Sequence, residues 1–159
     1  MCIRDSYLTM DGTRYELAQF HFHSPSEHTV DGKHAAMEMH LVHKSEANEV
    51  AVLAVLVEPG AEDNAAFAQV WDYLPSAEAP TRTSDVTVNP ASMLPMTSRA
   101  AYEYRGSFTT PPCTEGVQWV VLKEPARLSQ GQIDQFRGVI EGNNRPPQPL
   151  NDRTLRVIP

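Results

Sequence analysis

Polar and apolar residues alternate along residues 14–23, Arg-Tyr-Glu-Leu-Ala-Gln-Phe-His-Phe-His. A period of two predicts an extended strand with Gln19, His21 and His23 on one face and Phe20 and Phe22 on the other. Residues 35–44 predict a second strand, with Glu38, His40 and Val42 facing one way. Residues 49–58 form a near-continuous apolar run of strand length, as expected of a buried central strand. Asp11-Gly12 and Asp31-Gly32 are turn signals, and Tyr7-Leu8 reads as a short strand before the first of them. The order strand–turn–strand–turn–strand predicts an antiparallel meander.

Helical spacing enters at Asp63–Leu74, where Phe67, Val70, Trp71 and Leu74 line one face and Pro75 marks a stop. Residues 76–97 are dominated by prolines and small polar residues, interrupted by a brief Val86-Thr87-Val88 strand. Arg99–Phe108 and Val117–Lys123 predict two further strands on either side of the rigid Thr109-Thr110-Pro111-Pro112 segment. Ser129-Gln130-Gly131-Gln132 fits a capping box, and Ile133, Phe136 and Ile140 give the helix it opens an apolar face. A proline-rich tail from Asn143 ends in a strand at Thr154–Ile158. The pattern predicts a mainly β (α+β) domain with two peripheral helices, and no repeat or linker divides it.

Composition narrows the function more than the fold. The chain has 159 residues, enough for one domain with a real core, and 41% are hydrophobic against 21% charged. A formal net charge of −7 argues against nucleic acid or an anionic membrane as partner. No apolar run approaches the roughly 20 residues of a membrane span. Residues 1–6 have no apolar core of the kind a secretory signal carries. The two cysteines, Cys2 and Cys113, lack metal-ligand spacing, and a disulfide between them has no support in the sequence.

The candidate chemistry lies on the first two long strands. Imidazoles at i and i+2 on one strand face reach a single cation, and His40 on the second strand supplies a third. Three neutral histidines leave Zn²⁺ an open position and its full charge, the composition of a catalytic site. Glu38, two residues before His40 on the same face, is placed to accept that ring's second N–H, and Gln19 stands in the same relation to His21. On residues alone Val42, Val52, Val117 and Trp119 are plain core positions. His34 and His43 read as non-ligands, and His28 and Tyr104 as structural hydrogen-bonding groups of the core.

Three motifs, in order, resemble the α-class carbonic anhydrases. They are Gln19–His23 with Ser26-Glu27-His28-Thr29-Val30 and Glu38–His43; Gly106–Val117 with Trp119; and Asn143-Asn144-Arg145-Pro146-Pro147-Gln148-Pro149-Leu150. The resemblance implies a central twisted, mostly antiparallel sheet, incomplete at its N-terminus. It also implies reversible hydration of carbon dioxide by zinc-held hydroxide. His21, His23 and His40 would be the zinc ligands, with Gln19 and Glu38 behind them. Thr109 and Glu27 would orient the nucleophile. Val42, Val52, Phe108, Thr110, Val117 and Trp119 would line the substrate pocket, Phe108 standing where the family usually carries leucine. The substrate is a small molecule, carbon dioxide or bicarbonate; a homodimer is left open.

Cys113 and the short turn at Asp31-Gly32-Lys33 resemble the bacterial branch, which implies a periplasmic or secreted protein. Residues 1–6 match nothing in the family and read as an artefact of the reading frame, leaving 7–159 as one partial domain. No histidine precedes His21 to serve as the family's proton shuttle, so proton transfer is expected to limit turnover. The rival expectation is a zinc-binding but catalytically impaired fragment, or a non-catalytic relative.

Overall fold

The computed structural model describes residues 6–74, 88–95 and 97–159. Val86 and Thr87 of the strand proposed at Val86–Val88, the Pro75 stop, Cys2 and most of the N-terminal hexapeptide therefore lie outside the described residues, and Val88 is described but in no strand. The elements in chain order are β1 (Tyr7–Met10), β2 (Thr13–His23), β3 (Thr29–Val30), β4 (Lys33–His34), β5 (Met37–Ser45) and β6 (Val50–Gly60). There follow α1 (Ala65–Trp71), a 3₁₀ turn at Pro90–Met93, β7 (Ala101–Ser107), β8 (Glu115–Ser129), α2 (Gln130–Arg137) and β9 (Arg156–Ile158). Seven strands form one sheet in the order β1-β2-β5-β6-β8-β7-β9, and β3 pairs with β4 alone. All neighbours in the large sheet are antiparallel except β6 and β8, which run parallel. The β2–β5–β6 part is the meander expected from the sequence.

Both Asp-Gly pairs make the predicted tight turns. Asp11 and Gly12 have φ of 47° and 80°, and Asp31 and Gly32 have 51° and 74°. Positive φ at both central residues is the type I′ geometry, whose twist matches that of paired strands.

The two faces of the sheet bury different chemistry. On one face Phe22, Met37, Met39, Leu41, Leu53, Val55 and Val57 meet Phe67 and Trp71 of α1 and Ile133 and Phe136 of α2. The Phe22 ring meets Trp71, Phe136 and Phe67 at centroid distances of 5.0, 5.9 and 6.1 Å, so aromatic packing clamps both helices to β2. On the other face Val42, Val52, Ala54, Val117, Trp119 and Val121 form a smaller apolar cluster. A register shift between Leu17 and Gln19 interrupts the alternation of β2. One extra residue reverses face parity, so Leu17 joins the helix-covered core although Gln19, His21 and His23 point away from it.

Three boundaries differ from expectation. The first helix is shorter than 63–74, because Asn64 caps it and accepts from the N–H of Ala66. The second has the predicted capping box, but ends at Arg137; Ile140 lies beyond it, 38% exposed, and packs no core. β8 continues six residues past Lys123, with Pro125 placed where its pairing to β6 shifts register. A bulge is where a sheet tolerates a residue that cannot donate.

Gly106 lies where β7 crosses the second cluster. A Cβ there would stand 2.8 Å from the Tyr104 ring and 3.0 Å from Trp119. Gly106→Ala is expected to destabilise the chain by about 1–3 kcal/mol through overpacking. A urea denaturation midpoint unchanged from the parent would refute this account of the glycine.

Candidate metal centre

β2 and β5 bring three histidines together on the face opposite the helices. His21 and His40 are directly paired across the two strands, and His23 stands one pleat further along. One ring nitrogen from each of His21, His23 and His40 lies within 4.8 Å of the other two. The ring centroids are 4.6–5.1 Å apart.

The hydrogen bonds decide which nitrogens face inward. His21 Nδ1 is 2.8 Å from Gln19 Oε1, His23 Nδ1 is 3.0 Å from the Asn143 carbonyl, and His40 Nε2 is 2.8 Å from Glu38 Oε1. Each partner accepts only, so each ring donates from that nitrogen and keeps a lone pair on the other. The lone pairs of His21 Nε2, His23 Nε2 and His40 Nδ1 are thereby left for one another's common neighbour. His23 Nε2 is fully buried and has no hydrogen-bond partner among the described residues. A buried imidazole nitrogen without a partner is costly unless something accepts its lone pair.

Electrostatics keeps the His21 and His23 rings neutral. Burial, followed by the neighbouring His40 and His23, pushes His21 down to about 3. Burial and then His40 push His23 down as well. Burial alone would raise Glu38, which is 0% exposed, yet His28 and the bonds from His28 and His40 hold it well below the usual carboxylate range. Its Oε1 receives His40 and, at 2.5 Å, His28 Nδ1; its Oε2 accepts from the backbone N–H of Glu27 and His28, both at 2.8 Å. This ionised carboxylate polarises His40 from behind. Neutral nitrogen donors, a converging lone-pair geometry and an orphaned buried nitrogen together fit a zinc ion.

Glu27 lies beside the trio. Its Oε1 accepts from the Arg145 N–H at 2.7 Å and sits 3.5 Å from His23 Nδ1, while Oε2 is 3.9 Å from His40 Nδ1. That Oε2 is buried and makes no hydrogen bond among the described residues. Gln19, His21, His40, Val42, Val52, Phe108, Thr109, Thr110 and Trp119 surround a cavity of about 340 Å³. Val117 is not on its wall; it is packed behind, in the cluster with Val42, Val52 and Trp119. Thr109 also borders a larger cavity of about 1110 Å³, which Glu27 lines too.

His34 bonds the Ser26 carbonyl at 2.6 Å, and His43 the Leu41 carbonyl at 2.9 Å on the helix-covered face; neither approaches the trio. Sequence reading assigned no site role to Asn143 or Arg145. Asn143 receives His23 on its carbonyl, accepts Ser24 N–H on its side chain and donates to Phe22 O. Arg145 holds Glu27 by its backbone. These contacts span 118–121 residues, beyond any periodic signal, and only the tail motif itself pointed there.

A model of the eukaryotic-type carbonic anhydrase family matches residues 3–158. The chain is 46% identical over 149 residues to a carbonic anhydrase of Klebsiella pneumoniae, covering 93% of this chain and 60% of that protein. It is 42% identical over 151 residues to one from Nostoc, covering 94% and 56%. The α-carbonic anhydrase of Thermovibrio ammonificans, solved with the inhibitor sulfanilamide, superposes with a TM-score of 0.87 at 44% identity, covering 94% of this chain and 66% of that one. The chain thus spans about three fifths of the length of the curated relatives it matches. It belongs to the eukaryotic-type, or α, carbonic anhydrase family.

Depressed histidines also set a pH dependence for the metal-free chain. Between about 3 and the ordinary value of 6.5 the unfolded chain binds a proton at His21 that the folded chain refuses. Stability is therefore expected to fall as pH drops below about 6.5, with His23 and His43 acting in the same direction. Urea midpoints in EDTA at about pH 7.5 and 5.5 measure this. A midpoint that holds or rises on acidification, or an equal fall in His21→Gln, contradicts it.

Proposed function

We propose that this chain holds one zinc ion on His21, His23 and His40 and hydrates carbon dioxide reversibly to bicarbonate and a proton. The observation that carries the reading is the convergence of three neutral lone pairs, one of them on a buried nitrogen with no other partner. Zinc with three histidine ligands and an open position makes hydroxide available near pH 7, about the value known from carbonic anhydrase itself.

The chain's own residues supply orientation and exclusion. Glu27 is fixed through Oε1 by the Arg145 N–H, so its free Oε2 is the acceptor toward which Thr109 would direct its hydroxyl proton. A hydroxyl committed as donor in that direction offers only lone pairs to the cavity. It accepts from an O–H there and turns the oxygen's remaining lone pair toward the substrate carbon. The proton lost from water to give that hydroxide would pass to solvent, and addition of hydroxide to carbon dioxide would give bicarbonate. Val42, Val52, Phe108 and Trp119 give the cavity apolar walls, with Val117 packed behind them. Such walls suit an uncharged substrate with no dipole and disfavour retention of the charged product. Thr110 is the polar group at the rim where bicarbonate would leave.

Residues 7–159 are read as one domain, and a periplasmic or extracellular location is proposed from the bacterial-type character of Cys113 and the Asp31-Gly32-Lys33 turn. No helix among the described residues is long and apolar enough to cross a membrane. A second reading is zinc binding without turnover, as a catalytically impaired or non-catalytic member of the family.

Elemental analysis of the purified folded chain should find about one zinc per chain, with loss of nearly all of it in His40→Ala. Stopped-flow hydration of carbon dioxide with a pH indicator should then show turnover that chelation abolishes. Zinc without turnover selects the second reading. A folded chain that takes up no zinc sinks both.

A further inference from the structure

We infer that Tyr104 is a positioning residue for the metal centre, acting through His28 and Glu38 on the orientation of His40. The inference rests on the zinc reading above and extends the site by two residues that sequence reading took for structural core groups. Tyr104 Oη lies 2.7 Å from His28 Nε2, His28 Nδ1 lies 2.5 Å from Glu38 Oε1, and the same Oε1 lies 2.8 Å from His40 Nε2. The four residues form one unbroken line of hydrogen bonds from β7 to β5.

Proton counting fixes the direction of every bond. An ionised Glu38 accepts only, so His28 must donate from Nδ1 and His40 from Nε2. With His28 Nδ1 turned to Glu38, Nε2 is the nitrogen that meets the Tyr104 hydroxyl, which donates to it. Burial, and after it the charge of Glu38, raises Tyr104 above its ordinary value, which keeps that hydroxyl a donor. Tyr104 thus selects the His28 tautomer that donates to Glu38. Oε1 is shared between His28 and His40, so the position of one donor constrains the other. Without the hydroxyl, His28 is free to turn or to move its proton to Nε2, and Glu38 loses one of the four bonds that hold it square to His40.

The ring of Tyr104 is held by other means. It stacks on Trp119 at an interplanar angle of 7° and a centroid distance of 6.2 Å, and the Arg153 guanidinium stands 5.4 Å from its centroid. Trp119 is fixed in turn by its Nε1–H bond to the Ser107 carbonyl at 3.1 Å. Removing the hydroxyl alone therefore leaves the packing in place. Tyr104 borders the cavity of about 1110 Å³, whereas Trp119, His21 and His40 border that of about 340 Å³. The hydrogen-bonded line accordingly links His40 to the wall of the larger cavity.

Zinc affinity, measured by competition with a chromophoric chelator, separates this role from a structural one. Tyr104→Phe should weaken zinc binding by about fivefold, toward the low end of what outer partners of metal-bound histidines contribute. In a Glu38→Gln background the same substitution should change nothing further, because the line is already cut. A structural role would give the same factor in both backgrounds, and that result overturns the inference. A readout in Tyr104→Phe alone needs no Glu38 variant: the visible spectrum of the cobalt-substituted chain should shift in band position or intensity. A superimposable spectrum with zinc affinity within about twofold of the parent also overturns it. A parent chain that binds neither metal removes the zinc reading itself, and this inference falls with it.

Discussion

A single buried carboxylate, Glu38, organises the site. Removing such a charge from water costs several kcal/mol unless its lone pairs are satisfied, and here four donors satisfy them. Two donors are consecutive backbone N–H groups of the loop after Pro25, so the charge also pins that loop to β5. The loop carries Glu27, and pinning it is what puts Glu27 beside His23 and His40. One electrostatic requirement therefore sets a ligand tautomer and positions a second carboxyl group. Satisfying Glu38 thus fixes His40 and places Glu27 in one step, while His21 and His23 are held by Gln19 and Asn143.

The sheet converts residue parity into a division of labour. Along β5, odd-numbered Met37, Met39 and Leu41 face the helices, while even-numbered Glu38, His40 and Val42 face the cavity. His21, His23, Glu38 and His40 thus each neighbour, along the chain, a side chain packed in or against the dry, aromatic-rich core. The bulge in β2 lets the same strand serve two demands. Before it, Leu17 fills the core; after it, Phe20 and Phe22 do so and the histidines are released to the other face.

What the sequence made legible is what local periodicity can carry. His21, His23, His40, Gln19 and Glu38 announce themselves by i, i+2 spacing, and the structure pairs His21 with Gln19 and His40 with Glu38 as that spacing placed them. The type I′ turns and the α2 capping box are equally local, and all three formed where their residues stand. The tertiary partners have no such signature. His28 and Tyr104 meet across 76 residues, and Asn143 reaches His23 across 120. Ile140 shows the converse limit: helical spacing continued past Arg137, but no packing partner did, and the helix stopped. Val117 is the reverse case: the residues alone read it as core, which is where it packs, and only the family resemblance assigned it to the pocket wall.

The placement of negative charge explains why a carboxylate stands behind a ligand and not in its place. A carboxylate bound directly to a divalent cation neutralises part of its charge and weakens it as a Lewis acid. Three neutral imidazoles leave that charge intact. Yet a cation surrounded only by neutral groups in a low-dielectric cavity is poorly compensated for its lost hydration. Glu38 stands one imidazole away, so with zinc on His40 it would offset the charge through that ring without binding the ion itself. Gln19 and the Asn143 carbonyl do the same for His21 and His23 with dipoles in place of a full charge. The gradation from a charge behind His40 to dipoles behind the other two makes His40 the ligand most sensitive to what holds its partner, and hence the one through which a remote hydroxyl can act.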